Sequence, residues 1–118
     1  MTGPADRLTI RIDLASGARI GPGKIALLEA IARDGSISAA ARSLGMSYRR
    51  AWDLVEALKR DLGRSVVEAA VGGSGGGGAR LTRFGAAVVA QYRAIEAESA
   101  AVARRHIAAL RRACRPAG

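Results

Sequence analysis

The amino-terminal segment alternates strictly between apolar and polar residues. Four apolar residues occupy every second position: Leu8, Ile10, Ile12 and Leu14. A period of two predicts a half-buried β-strand. Gly21-Pro22-Gly23 then interrupts the chain, and apolar residues recur at helical spacing over residues 24–34. Gly35 follows as a stop signal, so this second segment is expected to form the first helix.

Two further segments carry helical periodicity. Ser36 and Ser38 are good N-cap candidates for a short helix over about residues 39–44. Ser47 is expected to cap a third helix over residues 48–62. The inward stripe of this third helix is Ala51, Leu54, Val55 and Leu58.

The remaining pattern predicts a hairpin and one long helix. Residues 66–71 and 79–81 are short, strand-like segments on either side of the glycine-rich run 72–78. Thr82 is expected to cap a last helix over residues 83–114, which would be roughly 45 Å long at ~1.5 Å per residue. We therefore expect a mainly α fold with a small β wing.

Residues 37–54 have the features of a helix-turn-helix. Ala40 and Ala41 are small enough for two helices to cross closely, and Gly45 can take the left-handed conformation that the tight turn needs. Met46 is apolar and is expected to fill the corner. All of these features in register indicate a helix-turn-helix more specifically than any one of them would.

Together these elements predict a single winged helix-turn-helix domain. Residues 1–82 would form the DNA-binding part, with an amino-terminal strand, three helices and a wing at about residues 66–81. Residues 83–118 would form a long carboxyl-terminal dimerisation helix belonging to the same domain.

The charge of the chain indicates a polyanionic partner. Seventeen Arg and two Lys give a formal net charge of +9. A balance of this size is typical of proteins that bind nucleic acid, although a basic surface alone is the alternative.

The outward face of the third helix begins with the residues that would meet double-stranded DNA. In helix-turn-helix docking the first residues of this helix contact base edges. Arg49 and Arg50 can bond guanine or hold a phosphate, and Tyr48 can bond phosphate or pack on a thymine methyl. Trp52 either contacts DNA or packs against the wing, and Asp53 either accepts from cytosine or pairs with Arg49. The candidate DNA-contact residues are Ser36, Ser38, Ser47, Tyr48, Arg49, Arg50, Trp52, Asp53, Ser74 and Arg80.

The glycine-rich run 72–78 allows three interpretations. A nucleotide-phosphate loop is excluded, because such a loop needs a Lys followed by Ser or Thr after its glycines. A flexible linker of engineered type would look similar. We favour a wing tip whose amides approach the DNA backbone, with Arg80 as the charged contact.

The long helix carries a seam of the kind that packs along another helix. Val88, Tyr92, Ile95, Ser99 and Val102 step by four, three, four and three residues, which is a period of 3.5. We expect a homodimer through this seam; the alternative is a helix that packs only on its own domain. A two-fold dimer would place its recognition helices about 34 Å apart, or a multiple of that distance.

Little in the sequence supports other classes of function. Cys114 is the only cysteine, no signal peptide or apolar span is visible, and a cytoplasmic protein is expected. His106 has no second ligand at metal-binding spacing, and no catalytic constellation appears, so neither an enzyme nor a metal or other cofactor is expected. Asp53 and Glu56 on the presumed DNA face keep a protein–protein interaction module open as an alternative.

Several motifs resemble a known family. Gly35-Ser36-Ile37-Ser38, Ser47-Tyr48 with Ala51-Trp52-Asp53, the glycine-rich run 72–78, and Leu81-Thr82-Arg83 with Phe84-Gly85 resemble the amino-terminal domain of the molybdate-responsive ModE repressors, and more distantly the LysR-type winged helices. The resemblance covers nearly the whole chain from Leu8 onward. It implies a winged helix-turn-helix transcriptional regulator that dimerises through its long helix.

One departure from the family is large. Full-length members carry carboxyl-terminal molybdate-binding domains, and this sequence has none before Gly118. Molybdate sensing is therefore not carried over, and the chain is expected to be either a single-domain relative or a fragment.

Overall fold

A computed structural model of the chain describes residues 5–71 and 77–114. Four helices form most of it: α1 (Pro22–Asp34), α2 (Ile37–Ser43), α3 (Tyr48–Leu62) and α4 (Arg83–Ala113). Two antiparallel hairpins complete it: β1 (Ile12–Asp13) with β2 (Arg19–Ile20), and β3 (Val67–Ala70) with β4 (Gly78–Leu81). The mainly α fold with a small β wing is confirmed.

Side-chain caps fix the starts of three helices. The hydroxyl oxygens of Ser36, Ser47 and Thr82 each accept a hydrogen bond from the backbone N–H three residues later, at 2.9–3.0 Å. Each cap satisfies one of the amides that a helix start leaves unpaired. The expected caps Ser47 and Thr82 are confirmed, and Ser36 rather than Ser38 caps α2, which therefore starts at Ile37 and not at Ala39.

The turn between α2 and α3 has the conformation that its glycine predicts. Gly45 adopts φ +68°, in the left-handed region that favours glycine. The amide of Met46 donates to the carbonyl of Ala41 at 3.0 Å, and the Met46 side chain packs against the core. Ala40 and Ala51 are fully buried where the two helices cross. The helix-turn-helix is confirmed.

The core lies between the helix-turn-helix and the long helix. Leu27, Leu28 and Ile31 of α1 pack with Leu58 of α3 and with Val66 before β3. A second cluster joins three buried residues from different elements: Ile20, Ile25 and Tyr92. Because both clusters draw on α1, this helix holds the recognition part and α4 in one rigid unit.

The β3–β4 hairpin is fastened to the helices at its base. Val67 pairs with Leu81, and the amide of Ala79 donates to the carbonyl of Gly35 at 2.8 Å. A Cβ atom on Gly85 would overlap the carbonyl oxygen of Val66, so glycine is needed where α4 crosses the hairpin. These contacts set the position of the wing relative to α2.

The amino-terminal segment differs from the predicted strand. Only Ile12–Asp13 pairs with another strand, and its partner at Arg19–Ile20 was not predicted. Leu8, Ile10 and Ile12 are nevertheless half-buried at alternate positions. The hydroxyl of Tyr92 in α4 donates to the carbonyl of Ile10 at 2.8 Å. The alternation is real, but a helix rather than a sheet covers part of the segment.

The predicted seam of α4 also needs correction. Tyr92 is buried in the core of its own protomer, and Val88 packs against both core clusters. Two of the five seam residues therefore serve intramolecular packing. In the described part of the chain, no helix combines the length and the apolar character needed to cross a bilayer.

Candidate nucleic-acid interface

The first turns of α3 present a cationic and aromatic surface to solvent. Tyr48 is 53% exposed, Trp52 is 42% exposed, and the Arg49 side chain is 83% exposed. The opposite face of the same helix is held in the core by Ala51, Val55 and Leu58. The exposed side chains therefore start from a fixed backbone, which is what a surface needs to dock with defined geometry.

The charge on this surface is nearly all positive. No acidic residue lies in the first turn of α3. Asp53 lies one turn further on, and its carboxylate is 3.3 Å from Nε of Arg49. The predicted pairing of these two residues is confirmed. Arg50 is exposed beside them.

The three candidate serines of the helix-turn-helix occupy different positions. The hydroxyls of Ser36 and Ser47 accept bonds from amides of their own helices at 3.0 Å. Ser38 is exposed on α2 and lines a cleft of about 380 Å³ together with Tyr48 and residues 77–79 of the wing. The helix-turn-helix and the start of β4 in the wing thus meet at one concave surface.

The wing contains two candidate DNA-contact residues, of which the structure describes Arg80. Nε of Arg80 lies 3.1 Å from the carboxylate of Glu68, directly opposite on β3. The Arg80 side chain keeps most of its surface exposed. Ser74 lies outside the described residues.

A second cleft, of about 300 Å³, borders α3 on its other side. Arg50 lines it together with Arg11, Arg19 and Lys24, which the sequence analysis did not single out. Arg11 precedes β1, Arg19 opens β2, and Lys24 lies in the first turn of α1. Arg11 occupies a polar position of the alternating segment, which was the one available sign that it faces solvent.

One carboxylate lies among these cations. Arg11 donates to the Asp13 carboxylate at 2.9 Å, and this hydrogen bond, with the charges of Arg11 and Arg19, holds the pKa of Asp13 below its ordinary value against the opposing effect of burial. Asp13 is therefore ionised at neutral pH. The four cations still outnumber it.

The part of α4 that follows Tyr92 has a separate exposed surface. Three large apolar side chains on it are exposed: Ile95 by 42%, Val102 by 76% and Leu110 by 64%. Their separations of seven and eight residues place them on one face of the helix. Ser99, also in the predicted seam, is half-buried.

Among residues 5–71 and 77–114, no group of three or more His, Cys, Asp or Glu side chains could hold a metal ion. His106 and Cys114 are both exposed on or beside the end of α4.

Comparison with known proteins finds relatives with similar sequences. The chain is 56% identical over 82 residues to the molybdenum-pterin-binding protein MopB of Rhodobacter capsulatus, covering 70% of this chain and 30% of MopB. It is 45% identical over 71 residues to the DNA-binding transcriptional dual regulator ModE of Escherichia coli K12, covering 60% of this chain and 27% of ModE. The chain thus spans under a third of the length of these curated relatives.

A solved structure has a similar fold. The crystal structure of the CbnR_DBD-DNA complex superposes with a TM-score of 0.58 at 27% sequence identity, covering 75% of this chain and 95% of that one. A family model matches residues 23–86, from the start of α1 to the start of α4. That region is more than half of the chain and contains the whole helix-turn-helix and wing, so this protein belongs to the bacterial regulatory helix-turn-helix proteins of the lysR family.

Proposed function

We propose that this protein is a transcriptional regulator that binds double-stranded DNA by placing the amino-terminal end of α3 in the major groove. One observation carries the proposal: Tyr48, Arg49 and Arg50 are exposed together on a helix whose other face is buried. Arg is the side chain best suited to guanine edges and phosphates, because its planar fork makes two parallel hydrogen bonds.

The wing adds a second element to the proposed interface. It lies beside Tyr48 and Ser38 across the 380 Å³ cleft, and Arg80 supplies a cation near it. Contacts from a wing to the sugar–phosphate backbone orient a protein on its site but do not read its sequence. We therefore assign base reading to α3, with Arg49 first, and orientation to the wing.

The relatives support this assignment. The ModE relative is named a DNA-binding transcriptional dual regulator, and the structural neighbour was solved with DNA. In this chain Asp53, which with Glu56 kept a protein-binding alternative open, is paired with Arg49. The proposed role needs no catalysis, and a regulator of bacterial genes would work in the cytoplasm.

We further propose that the protein acts as a homodimer through the exposed apolar face of α4. Its 31 residues span about 46 Å at ~1.5 Å per residue, and its free face carries Ile95, Val102 and Leu110. Exposed apolar side chains aligned on one long helix favour pairing with a second helix. A two-fold dimer would present two recognition helices to a palindromic site.

The test begins with duplexes selected from a random library by the unaltered protein. Arg49→Ala is expected to weaken binding to the selected duplex by about 1–3 kcal/mol and to relax base preference at one position. Lys59→Gln, at the exposed carboxyl end of α3, is the matched control and is expected to leave base preference unchanged. Failure of the unaltered protein to bind any duplex at low salt would contradict the proposal.

A further inference from the structure

The first turn of α3 lies between two different surfaces. Tyr48 lines the cleft that leads to the wing, whereas Arg50 lines the cleft that leads to Arg11, Arg19 and Lys24. Tyr48 and Arg50 are two residues apart, so their side chains leave the helix about 200° apart. The wing and the Arg11–Arg19–Lys24 group therefore flank α3 on opposite sides. We call Arg11, Arg19, Lys24 and Arg50 the hairpin-side basic patch.

The hairpin-side basic patch is held in place by the fold. Nζ of Lys24 donates to the carbonyl of Arg19 at 2.8 Å and so ties α1 to β2. The stem of the Arg11 side chain lies beside Gly21, where an added Cβ would be in ordinary contact with Arg11 Cγ at 3.6 Å. One cation from the segment before β1 and one each from β2, α1 and α3 thereby line one cleft.

Most of this charge is not compensated within the protein. Arg11 pairs with Asp13, but Arg19, Lys24 and Arg50 form no ion pair among residues 5–71 and 77–114. The first turn of α1 contains no acidic residue. Concentrated positive charge at a concave surface attracts a polyanion more strongly than the same charge spread over the molecule.

A recognition helix in a major groove has a phosphate backbone on each side, because the groove is only about 12 Å wide. Whatever flanks the helix therefore faces phosphates. We infer that the hairpin-side basic patch is a second backbone-contact site, binding phosphates on the strand opposite to the one that the wing follows. This inference rests on the proposed function and deepens it.

The inference also divides the two adjacent arginines. Arg50 lines the patch cleft and belongs with the phosphate contacts, whereas Arg49 is the candidate base reader. Phosphate contacts position a protein without carrying sequence information. Substitution of Arg50 is therefore expected to lower the affinity for all duplexes by a similar factor. Substitution of Arg49 is expected to change which duplexes the protein prefers.

The test uses the full chain with Arg11→Gln and Arg19→Gln combined. The slope of log affinity against log salt is negative, and each lost phosphate contact makes it shallower by about 0.9, so a decrease of about 1.8 in its magnitude is expected. On the same linear relation, affinity at 0.15 M salt falls roughly 30-fold for the selected duplex and for random duplex alike. The charge-matched control Lys59→Gln with Arg60→Gln removes two exposed cations at the far end of α3.

Two measurements keep the inference separate from folding defects and from the proposed function. Phosphate-ethylation interference with the unaltered protein is expected to show sensitive phosphates on both strands flanking the α3 contact. Trimming the duplex to remove the patch-side phosphates is expected to abolish the difference between the double variant and the unaltered protein.

The outcomes are distinct. If the unaltered protein binds DNA but ethylation matters only on the wing-side strand, or if the double variant matches the control, the patch inference is wrong and the proposed function stands. If the unaltered protein binds no DNA, both are wrong.

Discussion

At the scale of single residues, Arg49 has one partner in the structure, Asp53, and one proposed partner, a guanine base. Its pair with Asp53 is largely solvent-exposed, and exposed ion pairs contribute at most about 1 kcal/mol. A two-pronged bond to guanine is worth about 1–3 kcal/mol in discrimination between bases. Because the bond to guanine is the stronger of the two, we expect the ion pair to orient Arg49 in the free protein and to yield when DNA binds.

Asp53→Asn tests this competition. The substitution keeps the size of the side chain and removes the charge that holds Arg49, so affinity for random duplex is expected to rise. On random duplex, where Arg49 has no selected guanine to bind, the released side chain can neutralise one phosphate, which would steepen the salt slope by about 0.9. If the variant instead loses affinity for the selected duplex alone, Asp53 reads a cytosine and the pairing is incidental.

The hydroxyl of Tyr92 has a structural role. It is buried beside Ile20 and Ile25, and it donates to the carbonyl of Ile10. Burial, with a smaller contribution from Glu96, raises the pKa of Tyr92 above its ordinary value near 10. Since the folded state holds this proton more tightly, its contribution to stability is complete below pH 10 and falls as pH rises toward the folded-state pKa.

Tyr92→Phe therefore has a pH-dependent effect. At pH 7 the variant is expected to lose about 1 kcal/mol of unfolding free energy through the missing hydrogen bond. Above pH 10 the difference in unfolding free energy between the variant and the unaltered protein is expected to become smaller. Denaturant unfolding across this range measures both values, and a difference that stays constant to pH 11 would show that the hydroxyl does not titrate as described.

At the scale of elements, close packing at the start of α4 fixes the wing. The amide of Thr82 donates to the carbonyl of Val66 at 3.0 Å, and its hydroxyl donates to the carbonyl of Ser65 at 2.7 Å. Gly85, one turn further, touches the same backbone. The guanidinium of Arg64 lies 4.7 Å from the centre of the Phe84 ring and covers this junction.

Gly85→Ala and Gly23→Ala form a matched pair, because both glycines lie in the first turn of a helix. The added methyl at Gly85 overlaps the Val66 carbonyl, and overpacking of this kind costs about 1–3 kcal/mol. At Gly23 nothing lies within 4 Å of the added methyl, so the better helix propensity of Ala is expected to stabilise by about 0.5–1 kcal/mol. Equal melting temperatures for the two variants would contradict the packing described here.

The sequence predicted the elements whose signals are local. α3 spans Tyr48–Leu62, as expected from its Ser47 cap, its apolar stripe and the glycine after it. The wing strands and α4 also begin and end within a residue or so of their expected bounds. Caps, glycines and periodicity act over a few residues, so they can be read without knowing the tertiary fold.

The sequence did not predict which segment packs on another when the two are far apart along the chain. Alternation at Leu8, Ile10 and Ile12 shows that one side of the segment is covered, but not that Tyr92, some eighty residues later, covers part of it. The seam containing Val88 and Tyr92 likewise has the same period whether it packs on its own core or on a partner. The basic patch was missed because it forms only when β1, β2 and α1 meet beside α3.

At the scale of the whole molecule, α4 gives the protein its elongated shape of 58 × 37 × 20 Å. Arg93 adds a link from α4 to α1, because it donates to both carboxylate oxygens of Glu29, and it also pairs with Glu96. Arg93 holds the pKa of Glu29 below its ordinary value through that hydrogen bond and its charge, against the effect of burial. A fixed α4 would let a dimer set the distance between two recognition helices.

Val102→Glu tests the proposed dimer. A carboxylate in the middle of the exposed apolar face would be buried against its counterpart, so the variant is expected to be monomeric in sedimentation equilibrium where the unaltered protein dimerises. Ala97→Glu adds the same charge at an exposed position at least 140° away from Ile95, Val102 and Leu110 and is expected to leave the dimer intact. A monomeric unaltered protein would contradict the proposal.

The central claim is that the amino-terminal end of α3 lies in the major groove, and methylation interference on the selected duplex tests it most directly. Methyl groups at guanine N7 lie in the major groove, whereas those at adenine N3 lie in the minor groove. We expect N7 methylation at one or two guanines in each half-site to block binding, and Arg49→Ala to lose sensitivity at one of them. Binding that is indifferent to every N7 methyl group would contradict the account.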